Sequence, residues 1–94
     1  MVEVIWTEPA IAELDEIADY ISVDNYEAAR KLVKRVLEKV EKLVEFPDMG
    51  EKVQELEGRE YRSLIVKPCR IYYRQEKDKV YIVFVRRFER RFEF

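Results

Sequence analysis

The sequence contains no histidine and a single cysteine, Cys69. Those two shortages exclude an internal disulfide and the usual Cys/His zinc sites. They also remove the base that most nucleophilic thiols depend on, so Cys69 reads as a small buried hydrophobe. There is no Gly-rich phosphate loop, nucleophile elbow or metal-ligand spacing, so the residues predict neither a metal nor a cofactor. No apolar run approaches the roughly 20 residues that span a bilayer, and Met1-Val2-Glu3-Val4 is acidic where a secretory leader is basic. The expectation is a cytoplasmic protein that enters no membrane.

What is present is a chain of 94 residues, 48% hydrophobic and 40% charged, which is a globular composition. That length predicts one domain, 1–94, burying roughly 60–65% of its unfolded surface. The net charge of −2 conceals a division. Met1–Gly58 holds 7 Lys/Arg against 15 Asp/Glu, while Arg59–Phe94 holds 11 against 5. An acidic helical half and a basic half suited to an anionic partner are the expectation.

The hydrophobic period divides the chain in the same place. Val2–Trp6 is a short β-rich run, and Thr7-Glu8-Pro9 supplies a cap and a first-turn proline. Ile11, Leu14, Ile17, Ala18 and Ile21 then recur at helical spacing. Asp24-Asn25 breaks the pattern and caps a second helix carrying Ala28, Ala29, Leu32, Val33, Val36, Val40, Leu43 and Val44. Pro47-Asp48-Met49-Gly50 is a turn in which Gly tolerates positive φ, stopping this helix near Glu45 or Phe46. Glu51–Gly58 reads as a loop or short turn. From Arg59 the period is two: Tyr61–Val66, Arg70–Gln75 and Val80–Val85 predict three strands, with a bend at Pro68. The order β-α-α-β-β-β gives an α+β fold, an antiparallel sheet covered on one face by a helical hairpin.

Three groups of residues invite chemistry. The first is the series Arg59, Arg62, Arg70, Arg74, Arg86, Arg87, Arg90 and Arg91, because a planar guanidinium grips phosphate or carboxylate in fixed geometry. Only Arg74 reads as exchangeable for Lys, on sheet-edge grounds. The bland alternative is a set of solvated cations paired to the acidic helices. The second is Tyr61, Tyr72, Tyr73, Tyr81, Phe84, Phe88, Phe92 and Phe94, which could stack bases, although at period two half must face the core. The third is Glu13, Asp15, Glu16 and Asp19, which read as a solvated face.

The segments Trp6-Thr7-Glu8-Pro9-Ala10, Leu14-Asp15-Glu16-Ile17, Tyr20-Ile21, Ala28-Ala29, Leu43–Gly50, Tyr61-Arg62 and Arg70-Ile71-Tyr72-Tyr73-Arg74, in this order, resemble the ParE/RelE superfamily of bacterial toxin–antitoxin toxins. The resemblance covers nearly the whole chain and implies the same architecture: an N-terminal strand, a helical hairpin, then a three-stranded antiparallel meander. It also implies one of two activities, cleavage of mRNA in the ribosomal A site (RelE-like) or poisoning of DNA gyrase (ParE-like). Carried over by position, Arg62 and Arg70 match basic residues of the nuclease branch. Leu64 replaces a second basic residue, Phe88 stands about where a late catalytic arginine is expected, and Phe94 about where a terminal tyrosine is.

These losses, the long first helices and Phe46-Pro47-Asp48-Met49-Gly50 make the chain resemble the ParE branch, which includes plasmid stabilisation proteins. It departs from that branch in lacking a histidine near Val85-Arg86-Arg87. The resemblance implies a growth-arresting gyrase inhibitor rather than an enzyme, without a cofactor or metal. A cognate antitoxin would hold it in a toxin–antitoxin hetero-oligomer. Partner binding is expected at Arg59, Arg62, Arg70, Arg74, Arg86, Arg87 and Arg90. The alternatives are a ribosome-dependent endoribonuclease using Arg62, Arg70 and Arg87, with ribosome and mRNA as partners, and a non-toxic member that only binds antitoxin.

Overall fold

Strand β1 (Glu3–Trp6) hands over to helix α1 (Glu8–Asp24) at Thr7, whose Oγ1 accepts from the Ala10 N–H at 3.4 Å. Asn25 ends α1 and starts α2 (Tyr26–Glu41), its Oδ1 accepting from the Ala28 N–H at 2.9 Å. A single 3-10 turn, Lys42–Val44, closes α2. Four strands follow: β2 (Glu51–Leu56), β3 (Arg59–Val66), β4 (Cys69–Glu76) and β5 (Lys79–Arg87). The computed structural model describes residues 1–56 and 58–87.

The sheet order is β1-β5-β4-β3-β2, with β2 to β5 antiparallel in sequence and β1 parallel to β5 in the register Val4↔Val80, Trp6↔Ile82. The α+β architecture is the one expected, with one strand more. Glu51–Leu56 is that strand and not a loop, paired Glu51↔Ser63 and Val53↔Tyr61. Its composition, Glu-Lys-Val-Gln-Glu-Leu, hides it because a strand at the end of a sheet tolerates the charge that a central strand cannot.

One face of the sheet is covered by the hairpin. Ala10, Leu14 and Ile17 of α1 and Leu32, Val36 and Val40 of α2 pack with Leu64, Val66, Cys69, Ile71, Tyr73, Val80, Ile82 and Val85 in a continuous core. Cys69 is fully buried in the core, as expected of a small hydrophobe. Ile11 departs from expectation: it is 46% exposed, and Ala10 takes its place inside.

The helix boundaries also correct the charge reading. α1 carries six carboxylates and no Lys or Arg, whereas α2 carries five Lys/Arg and three Glu. The acidic half is therefore one acidic helix beside one basic helix. The count over Met1–Gly58 hides this because acidic residues outside the hairpin swamp the basic charge of α2.

Candidate partner-binding face

Strand β4 sorts the candidate residues by side. Cys69, Ile71 and Tyr73 are buried toward the helices, which leaves Arg70, Tyr72 and Arg74 on the other side of the sheet. Pairing extends that side across β5 through Arg70↔Arg86, Tyr72↔Phe84 and Arg74↔Tyr81. It extends across β3 through Ile65, Ser63 and Tyr61. A register shift between Tyr72 and Tyr73 inserts Val83 as the extra residue, which keeps Ile82 and Val85 both in the core and turns Phe84 and Arg86 outward.

The result is an open face of alternating cations and rings. The Arg74 guanidinium lies 4.6 Å from the Tyr81 ring centroid, and that of Arg86 lies 4.5 Å from Phe84. Tyr72 meets Phe84 edge to face, with centroids 6.2 Å apart. Arg59 and Arg74 share Glu76, each 3.6 Å from its Oε2, beyond hydrogen-bonding distance. Arg74 Nη1 is buried without a hydrogen bond, as is the hydroxyl of Ser63, a residue only 3% exposed. Arg74 is thus not the exchangeable edge residue expected, because β4 is the middle strand and its planar guanidinium stacks on Tyr81. A cleft of about 160 Å³ opens beside it among Arg59, Arg62, Arg74, Glu60 and Glu76.

The remaining predicted residues lie elsewhere. Arg62 is on the helix side, where Nη1 donates to the carbonyls of Gly50 at 2.8 Å and Asp48 at 3.1 Å. Arg87, opposite Cys69, packs its guanidinium 4.9 Å from the Tyr20 ring of α1. Arg62 is opposite Tyr73. Four residues of β4 thus separate the rows of Arg62 and Arg87, about 13 Å at strand rise. Arg70 points from the other face. These three arginines do not converge. Arg90 and Arg91 fall outside the described residues, together with Phe88, Phe92 and Phe94.

Two residues make structural contacts that their neighbours in the sequence do not announce. Tyr73 is one: its hydroxyl accepts from the Gly50 N–H at 2.9 Å and donates to the Pro47 carbonyl at 2.8 Å, clamping the turn before β2. Burial pushes its hydroxyl above the ordinary tyrosine value, while the Gly50 hydrogen bond and the Arg62 charge oppose the shift. Gly50 is needed here for space and not for positive φ, since a Cβ would sit 2.5 Å from Tyr73 Oη and 2.9 Å from the Ser63 carbonyl oxygen. The positive φ belongs to Gly58, at 74°.

Glu13 is the second. It is no solvated residue: its carboxylate accepts from the Val85 N–H at 2.7 Å and from Arg86 Nε at 3.1 Å. The β1 pairing ends at Ile82, so Glu13 supplies the acceptor that a longer β1 would have given β5. Its signal in the sequence is nil, because the contact spans 72 residues.

Among the described residues no cluster of His, Cys, Asp or Glu could hold a metal ion, and no helix is long and apolar enough to cross a membrane. No curated protein matches the chain. A solved structure titled "Chromosomal ParDE TA system from P. aeruginosa" superposes with a TM-score of 0.75 at 28% identity, covering 93% of this chain and 96% of that one. The family model described as "ParE toxin of type II toxin-antitoxin system, parDE" matches residues 4–92. With the strand, hairpin and sheet in place and the match running nearly end to end, the chain belongs to the ParE toxin family of type II toxin–antitoxin systems.

Proposed function

We propose that this chain arrests growth by binding DNA gyrase and blocking its cycle, and that a cognate antitoxin neutralises it. The observation that carries the gyrase reading, beyond family membership, is the separation of Arg62, Arg70 and Arg87. Cleavage of a phosphodiester needs charge and proton donors converging on one phosphate. Here Arg62 is occupied by two turn carbonyls and Arg87 lies on Tyr20, while Arg70 is on the opposite face. Phe88 and Phe94, where the nuclease branch expects an arginine and a tyrosine, can neither pair with a phosphate nor give up a proton. The chain acts as an inhibitor, in the cytoplasm, by surface contact.

The antitoxin reading rests on the open sheet face. Arg70, Arg74 and Arg86 interleaved with Tyr72, Tyr81 and Phe84 match an acidic, initially disordered segment that orders on binding. Rings supply the apolar anchors and arginines the charge match, with Arg59 at the rim and Arg90 an expected contributor from the C-terminal end.

A supercoiling and cleavage assay with purified protein and gyrase tests the proposal. Inhibition with trapped, broken DNA supports it. Inert behaviour from a folded, growth-arresting chain overturns it and moves the activity to mRNA on the ribosome. Replacing Arg70 and Arg87 together by Ala should abolish growth arrest, and undiminished arrest would remove both from the site.

A further inference from the structure

The flank of α2 that looks away from α1 is separate from the arginine face. α1 lies over β5 and α2 over β3, so that flank meets the end of β3. Arg35, Lys39 and Lys42 of the helix and its closing turn line a shallow cleft there with Ile65 and Lys67, and Glu38 is the one carboxylate in it. The Arg35 Nη2 donates to the Lys67 carbonyl at 2.7 Å, which ties the cations of the helix to the turn after β3. Lys31, one helical turn before Arg35, continues the stripe. Lys39 is half-buried and the other four cations are exposed. None of the five, nor Glu38, makes an ion pair among the described residues. Pairing with β2 stops at Ser63, so the cleft opens beside a part of β3 that this strand does not cover.

We infer that this stripe grips the phosphodiester backbone of duplex DNA. The negative end of the helix dipole accounts for Lys39 and Lys42. It does not account for Arg35, which lies outside the last turn, or for Lys67 on another element. Composition argues against an acidic protein partner. Four of the five cations are lysines, which protein interfaces deplete, and only Ile65, 44% exposed, offers an apolar anchor. A lysine ammonium is a point charge well suited to a phosphate. Single strands are held by stacking on rings, and the cleft has none, so a duplex fits better. Over Lys31–Lys42 the stripe runs about 16 Å at 1.5 Å per residue. That is the length of about five base pairs, along which one strand presents about five phosphates. The choice of DNA over RNA rests on the gyrase reading, because duplex DNA is what that enzyme holds. The chain as a whole has a net charge of −2, so the attraction is local and falls steeply with salt.

Fluorescence anisotropy of a labelled DNA duplex, titrated with the full chain at several salt concentrations and without gyrase, tests this. The logarithm of the wild-type affinity should fall against that of salt with a slope of about −4. Lys39→Gln/Lys42→Gln/Lys67→Gln should bind at least tenfold more weakly, with a slope of about −1, at an unchanged thermal unfolding midpoint. The matching triple change to Arg should retain binding, which separates lost charge from lost fold. Lys77→Gln/Lys79→Gln, at the opposite end of the sheet, should stay within twofold of wild type. A wild-type chain that binds no duplex at low salt overturns the inference. So does an equal loss in the Lys77/Lys79 variant, or polyglutamate competing as well as DNA. A duplex RNA held tenfold more tightly overturns the assignment to DNA. Because gyrase is absent, a failure here is distinct from a failure of the supercoiling assay.

Discussion

The two faces of the β-sheet are written in the same strands but do different work. On the helix-covered face the alternate residues Ile71, Tyr73, Ile82 and Val85 are fully or almost fully buried. On the open face their neighbours Arg70, Tyr72, Phe84 and Arg86 remain partly or well exposed, arranged as cations against rings. Period two lets one strand specify a core and a recognition surface at once, so a substitution one residue along should change from a loss of stability to a loss of binding.

The largest effect should come from the covered face. Ile71→Ala removes a fully buried side chain from the middle strand and should cost about 2–5 kcal/mol of unfolding free energy in a denaturant titration. Gly50→Ala is next. Its new methyl would press on the Tyr73 ring and the Ser63 carbonyl oxygen, and should cost about 1–3 kcal/mol, measured the same way. Glu13→Ala leaves the Val85 N–H without its acceptor and should cost about 1–3 kcal/mol while leaving the helical content of the far-ultraviolet spectrum intact.

Tyr73 adds a pH-dependent version of the comparison. Burial holds its folded-state value above that of an ordinary tyrosine, so the unfolded chain loses the hydroxyl proton first. The stabilisation that Tyr73 contributes is therefore present below about pH 10 and declines as pH rises past that point. The stability advantage of wild type over Tyr73→Phe should shrink above pH 10; an advantage that stays constant would place the ionisation elsewhere. The smallest stability effect belongs to the open face, where Arg70→Ala should change unfolding free energy by no more than about 0.5 kcal/mol. It should slow antitoxin association and flatten its dependence on salt.

Much of this division was legible in the sequence, and its limits are physical. α1 and α2 declare themselves by apolar spacing and by Thr7 and Asn25, which satisfy local donors. Strands β3, β4 and β5 are visible because apolar residues recur at period two along their inner side. β2 was not, since an end strand borrows its order from Ser63 and Tyr61 across the ladder. The arginines could be listed but not assigned to sides: alternation in β5 is reset at Val83, a shift defined only by pairing with Tyr72 and Tyr73. Arg62 shows the consequence. It reads as part of the same basic strand set as Arg70, yet it holds the carbonyls of Asp48 and Gly50 on the opposite face. Glu13 and Gly50 act through partners that no local pattern names.

The central claim is that the arginines of the open face serve recognition without holding the fold together. The most direct measurement is the affinity of Arg70→Ala/Arg74→Ala for the cognate antitoxin, set beside the thermal unfolding midpoint of the same protein. The account predicts a midpoint within a few degrees of wild type and affinity lost by at least tenfold. Wild-type affinity in a folded double variant would contradict it.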